Sequence, residues 1–277
     1  MWTPETRKRY AEPAKGYAST LSDAQFALIA PLLPPSQGKG RPRTTNMRAV
    51  LDAIFYQLRS GGPWRYLPSE FPPWQTVYRY FRLFLNLGLW DIIHDTLRQD
   101  VREAVGKQAS PSAAIMDSQS VKTTEAGGPK GYCAAKKVSG RKRHILVDTL
   151  GMILTAIVHV ADIQDRDGAL LVFERFKGCF PWLSLIWVDG GYAGDKLARQ
   201  VANFGSFRLE VVKRSDTASG FEVIPKRWIV ERTLAWLNRN RRMSKDFEKL
   251  TEISAALIKI AMIRLMLNRL APRNGAF

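Results

Sequence analysis

The chain of 277 residues has only two cysteines, Cys133 and Cys179, widely separated and in no CxxC pair. That spacing argues against a zinc ribbon or a disulfide framework and leaves two free thiols in a reducing compartment. Acid is also in short supply, with 25 Asp+Glu against 42 Lys+Arg and a net charge of +17. No apolar run approaches the roughly 20 residues that a bilayer span needs, and no signal-peptide pattern opens the chain. The expected compartment is therefore the cytoplasm. The charge excess favours a polyanionic partner, because each phosphate neutralised by a cation releases condensed counterions. DNA is the expected one. What the chain has in ordinary measure is apolar content, 45%, enough for a sizeable core in roughly two domains.

The pattern changes near residue 110. Before it the periodicity is helical. Leu21-Ser22-Asp23-Ala24-Gln25 offers a cap ahead of Phe26, Leu28, Ile29, Leu32 and Leu33, with a stop at Pro34-Pro35. A glycine- and arginine-rich loop over 37–45 follows. Val50, Leu51, Ile54, Phe55 and Leu58 predict a helix over 46–59, ended by Gly61-Gly62-Pro63. A third helix over 75–87 turns Val77, Tyr80, Phe81 and Phe84 inward, with Gln75, Arg79, Arg82 and Asn86 opposite, and a fourth covers 89–105. This order suits a helix-turn-helix-like module reading base edges through residues such as Arg79 and Arg82. A small bundle whose arginines face water fits the same pattern. Residues 1–20, with Arg7, Lys8, Arg9 and Lys15, read as a flexible basic arm or as a disordered tail.

After residue 110, strands and helices alternate: a buried strand over 112–117, a hairpin of 143–148 and 152–160 around Thr149-Leu150-Gly151, and a helix over 165–176. Then come a buried strand over 184–189, a helix over 195–204, a strand over 208–213 and helices over 226–241 and 252–270. That is the order of an RNase-H-like mixed sheet, in which the first and fourth strands are neighbours. Asp117 ends the first of these and Asp189 the fourth, so the two are expected together. Glu231 lies on the following helix, on one face with Arg227, Asn238 and Arg242. Three carboxylates so placed can form an oxygen cage for a hard cation such as Mg²⁺. Taken singly, each has a plainer explanation: an Arg-Glu surface pair, or a turn aspartate. Asp148 and the cluster Asp162, Asp165 and Asp167 read as structural, the cluster as the cap of the next helix.

The segment 122–143 holds seven basic residues and one acidic, with Gly127-Gly128-Pro129 and Gly131 marking a loop. Lys136, Lys137, Arg141, Lys142 and Arg143 are its candidates for phosphate contacts, and Arg239, Arg241, Arg242 and Lys245 continue a basic track past Glu231. His144 either orients DNA or a carboxylate, or is a hydrogen-bonded structural histidine; His94 and His159 fit the structural role. The tryptophans are core anchors by position, and Trp228 is a candidate to stack on an unpaired base.

Met116-Asp117-Ser118-Gln119-Ser120, Gly140-Arg141-Lys142-Arg143-His144, Val188-Asp189-Gly190-Gly191-Tyr192-Ala193-Gly194 and the stretch from Arg227-Trp228-Ile229-Val230-Glu231-Arg232 to Asn238 resemble the signature segments of bacterial insertion-sequence transposases of the DDE type. Gly62-Pro63-Trp64-Arg65-Tyr66-Leu67-Pro68 and Pro73-Trp74-Gln75-Thr76-Val77-Tyr78 are similar to the N-terminal domain that accompanies them. The resemblance implies an all-α helix-turn-helix-like domain over 21–108 after a basic arm over 1–20, then an α/β RNase-H-like catalytic domain over 109–272. It implies Asp117, Asp189 and Glu231 as the metal-binding catalytic triad for two Mg²⁺, with Mn²⁺ as a substitute. The implied activity is cleavage of an element's ends and joining of the freed 3′-hydroxyl to target DNA, without ATP. Arg79, Arg82, Lys136, Lys137, Arg141, Lys142, Arg143, Arg227, Arg239 and Arg242 are the implied DNA contacts. The expected assembly is a homo-oligomer, a dimer on double-stranded DNA, associated with the nucleoid. A catalytically silent DNA-binding regulator and a nuclease without strand transfer are the alternatives. The chain departs from the family pattern at Ile224, where a tyrosine is usual, and at Asn238, where a basic residue is usual; Arg239 and Arg242 are the candidates for the missing charge.

Overall fold

The computed structural model describes Thr3 and residues 16–35, 43–212 and 226–272. Arg7, Lys8, Arg9 and Lys15 of the arm, most of the 37–45 loop, Lys213 and Ile224 lie outside the described residues. Helix α1 (Asp23–Ile29) starts from a capping box: the Ser22 side chain accepts from the Gln25 amide, and the Gln25 side chain reaches back to the Ser22 amide. A 3-10 turn (Ala30–Leu32) carries the chain on to Pro34. Helix α2 (Met47–Ser60) is capped by Asn46 and ends at Gly61, whose φ of 78° is a left-handed conformation that glycine adopts without strain. Helices α3 (Trp74–Asn86) and α4 (Leu89–Ala104) complete the N-terminal module. On α3 the stripe Val77, Tyr80, Phe81 and Phe84 is buried; Gln75, Arg79 and Asn86 are exposed and Arg82 is half-buried.

Six strands follow: β1 (Ala113–Lys122), β2 (Gly131–Cys133), β3 (Val138–Asp148), β4 (Ile153–Val160), β5 (Leu185–Val188) and β6 (Arg208–Val211). β1 is central, antiparallel to β3 and parallel to β5, which pairs in parallel with β6; β2 and β4 both pair with β3. The mixed sheet with flanking helices is RNase-H-like, and the expected pairing of the two aspartate strands is present. Several boundaries differ from the expected ones, two of them in the strands around Asp117. β1 does not end at Asp117 but continues to Lys122, because its register with β3 runs on to Gly140. Residues 138–143, read as loop, are the first half of β3.

Alternation along the strands builds two layers. Ala114, Met116, Leu146, Ile186 and Val188 face α5 (Asp165–Phe176) and α6 (Asp195–Val201). Ile115, Ile145, Val147 and Trp187 face α7 (Arg227–Asn238) and α8 (Thr251–Leu270), and this second core is continuous with the apolar faces of α1 to α4. Helix α8 is apolar nearly all round because α4, α2 and β4 enclose it.

Candidate active site

Asp117, two residues beyond Ile115, lies on the α7 side of the sheet, with its side chain 14% exposed. Asp189 directly follows β5 and accepts from the Gly191 amide at 2.8 Å, opening the tight turn Gly190–Tyr192. Glu231 stands one turn into α7, four residues after Arg227. The three carboxylates meet at one atom. Arg227 Nη2 is 3.9 Å from Asp117 Oδ2, 3.8 Å from Asp189 Oδ2 and 3.4 Å from Glu231 Oε1. The expected trio therefore converges, with the guanidinium of Arg227, an expected DNA contact, at its centre. Among the described residues no three Asp, Glu, His or Cys side chains stand close enough to hold one ion as they are. Burial pushes the Asp117 carboxyl up to about 6; the charge of Asp189 adds to the rise, while the Ser118 amide, Arg227 and Lys136 oppose it. Hard oxygen donors around a single stand-in cation are a donor set suited to Mg²⁺-type ions.

A second polar layer lies behind Asp117. The Ser118 amide donates to Asp117 Oδ1 at 2.7 Å, and the Ser118 hydroxyl donates to Asp165 Oδ1 at 2.8 Å. Lys142 Nζ is 2.9 Å from the same Asp165 oxygen and donates to the Ile163 carbonyl at 2.6 Å. His144 Nδ1 and His159 Nε2 are 2.8 Å apart, with His144 Nε2 3.7 Å from Asp165. Burial, then the neighbouring His159, hold His144 well below its ordinary range, so it is neutral. His144 is thus a buried, hydrogen-bonded histidine whose other ring nitrogen faces the Asp165 carboxylate. The Tyr192 hydroxyl is buried beside these groups, and burial followed by the charges of Asp117, Asp165 and Asp189 raises its pKa. Asp165 corrects the sequence reading, because the cap of α5 is Gln164 and Asp165 instead ties β1 to β3 beside the triad. Its signal was indirect: Lys142 pairs with His159 across the hairpin, so the residues just after β4 return over them.

Several basic residues expected on DNA are interior. Arg141 is wholly buried and donates to the carbonyls of Pro129, Glu248 and Lys249, with Asp246 at 3.2 Å. Arg143, equally buried, donates to the carbonyls of Met243 and Lys245. Lys142 is taken by Asp165, and Arg242 by Glu248 and the Gly62 carbonyl. The correction has a physical cause. β3 lies between β1 and β4, so its guanidiniums are satisfied chiefly by the carbonyls of the segment packed over it. Arg79, Lys136, Lys137 and Arg239 are exposed. Lys136 Nζ also donates to the Ser118 carbonyl at 3.1 Å, which sets it beside Asp117. Trp228 is 44% exposed, and Arg232 stacks over both it and Trp236. Trp182 is exposed too, against its expected place in the core.

The family described as "Transposase DDE domain" matches residues 108–266, and one described as "Putative transposase of IS4/5 family" matches residues 21–94. The chain belongs to the DDE transposases of insertion sequences. The relatives of this transposase include a protein of Burkholderia cepacia named "Putative transposase for insertion sequence element IS402", 28% identical over 138 residues. That match covers 47% of this chain and 64% of the relative. An uncharacterized 16.2 kDa protein of the same insertion element is 35% identical over 118 residues, covering 40% of this chain and 78% of the relative. The uncharacterized protein y4sN of Sinorhizobium fredii is 38% identical over 72 residues, 26% of this chain and 57% of the relative. The matched stretches thus span less than two thirds of the putative IS402 transposase, 64%, and of y4sN, 57%.

Proposed function

We propose that this transposase cuts the ends of an insertion sequence and joins them to target DNA by phosphoryl transfer at Asp117, Asp189 and Glu231. The observation carrying the reading is the convergence of these carboxylates, from two adjacent parallel strands and a facing helix, within 4 Å of one nitrogen. The three would hold Mg²⁺, two ions on this reading, with Mn²⁺ as substitute. Bound there, divalent cations supply charge stabilisation at the attacking and leaving oxygens of an in-line displacement. The chain's own part is positioning: β1 and β5 fix two carboxylates rigidly, and Ser118 orients Asp117. Exposed Lys136, Lys137 and Arg239 would hold phosphates near the cut, and Arg79 and Arg82 would read the ends. We keep the functional division of a basic arm over 1–20, an end-reading module over 21–108 and a catalytic domain over 109–272. Double-stranded DNA is the partner, and the protein would work as a homodimer on it, associated with the nucleoid. No described helix is long and apolar enough to cross a membrane.

The test is cleavage and joining on DNA carrying the element's own ends. Asp117→Asn, Asp189→Asn and Glu231→Gln should each abolish both steps and leave end binding within about twofold of wild type. Near-normal cleavage by any of the three would remove that residue from the site. Cleavage without joining by the unmodified protein would favour a nuclease, and binding without either step a regulator.

A further inference from the structure

Arg227 opens α7, one turn before Glu231, and its position constrains how the site can be loaded. Its Nη2 is 3.4–3.9 Å from three carboxylates. A charge-assisted hydrogen bond would need about 2.7–2.9 Å. Its Nε is buried and has no hydrogen-bond partner among the described residues. The guanidinium is therefore held in the middle of the triad by charge, without the directional bonds that fix Arg141 or Arg143. A divalent ion would need carboxylate oxygens at roughly 2.0–2.1 Å, and those oxygens now surround the arginine. The two cations thus compete for the same anions. The arginine has somewhere to go: its side chain is 22% exposed and Glu231, on the open side, is 54% exposed. A planar guanidinium fork suits a phosphate in two-point contact.

We propose that Arg227 is an exchange cation, neutralising the three carboxylates when no divalent ion is bound and moving to a DNA phosphate when the ion takes its place. The proposal rests on the triad being the metal site. It makes metal loading conditional on DNA, because a phosphate that draws the arginine away removes the competitor. By linkage, whatever factor DNA adds to metal affinity, the metal adds to DNA affinity. An arginine that stayed fixed among the carboxylates would weaken metal binding equally with and without DNA.

The experiment measures Mn²⁺ binding to the full chain by electron paramagnetic resonance, without DNA and with a plain duplex at low salt. Wild type is compared with Arg227→Met and Arg227→Gln, each checked by thermal melting. In DNA-free protein both variants should bind Mn²⁺ at least about tenfold tighter than wild type, about 1.4 kcal/mol. Duplex should tighten Mn²⁺ binding by a similar factor in wild type and by less than about twofold in the variants. Equal or weaker binding by a folded variant overturns the exchange. An Asp117→Asn, Asp189→Asn double variant separates the two levels. If Mn²⁺ binding ignores that pair of substitutions, the metal-site reading fails and the exchange with it; if binding depends on the pair but not on Arg227, only the exchange fails.

Discussion

Replacing Arg141 with Met decides whether the basic residues of β3 hold DNA or hold the protein. Methionine keeps the stem and removes the charge. Three carbonyls, of Pro129, Glu248 and Lys249, lose donors now at 2.7–2.8 Å. Each buried group left unsatisfied costs about 1–3 kcal/mol. Asp246, with a side chain only 1% exposed, loses its cation but keeps the Glu248 amide and the Ser254 hydroxyl as donors. Breaking a buried pair from one side costs about 3–5 kcal/mol, and relief from burying the guanidinium offsets part of the total. A net loss of about 4 kcal/mol is a large share of the roughly 5–15 kcal/mol that holds a domain together. At about 2–4 °C per kcal/mol for a chain of this size, Tm should fall by about 8–16 °C. The salt slope of duplex binding should be unchanged in the surviving folded protein. Lys137→Ala, at an exposed position, should do the opposite, leaving Tm within about 2 °C and flattening the log-log slope by about 0.9. The reasoning is refuted if Arg141→Met melts like wild type while its salt slope falls.

Two further outcomes follow from the site and the module. Asp117 carries a folded pKa of about 6, raised chiefly by burial, so its charged form costs the folded state up to about 3 kcal/mol, a cost absent below the unfolded pKa and complete as pH rises past about 6. Asp117→Asn should therefore raise Tm of the metal-free protein at pH 7.5 and change it little near pH 4; a lower Tm at pH 7.5 would contradict the burial argument. On α3, Arg79→Ala and Arg82→Ala should narrow the affinity ratio between end DNA and random duplex by roughly tenfold each, the value of one good base contact, and an unchanged ratio in a gel-shift competition would show that α3 reads no bases.

How much of this was legible in the sequence depended on whether a residue's fate is set locally. Helix α2 could be read from Val50 to Leu58 and from the Gly61-Gly62-Pro63 that ends it, because spacing and breakers are local signals. Asp117 and Asp189 were legible as neighbours because the order of elements fixes which strands pair. What failed was the fate of charge. Arg141 and Lys137 are four residues apart in one basic run, yet one is wholly buried and the other exposed. Nothing local separates them: Arg141 is interior because residues 246–249, more than a hundred positions later, pack across β3. The boundary of β1 failed for the same reason, since Ser118 to Lys122 look polar but find their partners in β3. Arg227 lay in a legible motif, yet its place among three carboxylates depends on α7 packing across the middle of β1.

The buried arginines also explain how the module that would read DNA is joined to the helix that carries Glu231. Past α7 the chain turns through residues 239–249, and this segment is gripped from two sides. From β3, Arg141 and Arg143 take the carbonyls of Met243, Lys245, Glu248 and Lys249. From within the segment, Arg242 reaches the Gly62 carbonyl just beyond α2, and Arg59 of α2 donates back to the Arg239 carbonyl. Gly61 sits so close that a Cβ there would stand 2.9 Å from the Arg241 Cβ, so the contact tolerates no side chain. The N-terminal module is thus fastened to the segment that follows Glu231. Part of the +17 net charge is consumed in this joint. Composition therefore overstates the number of phosphates the protein can neutralise, and a measured salt slope should reflect the exposed set that includes Lys136, Lys137 and Arg239 rather than the total.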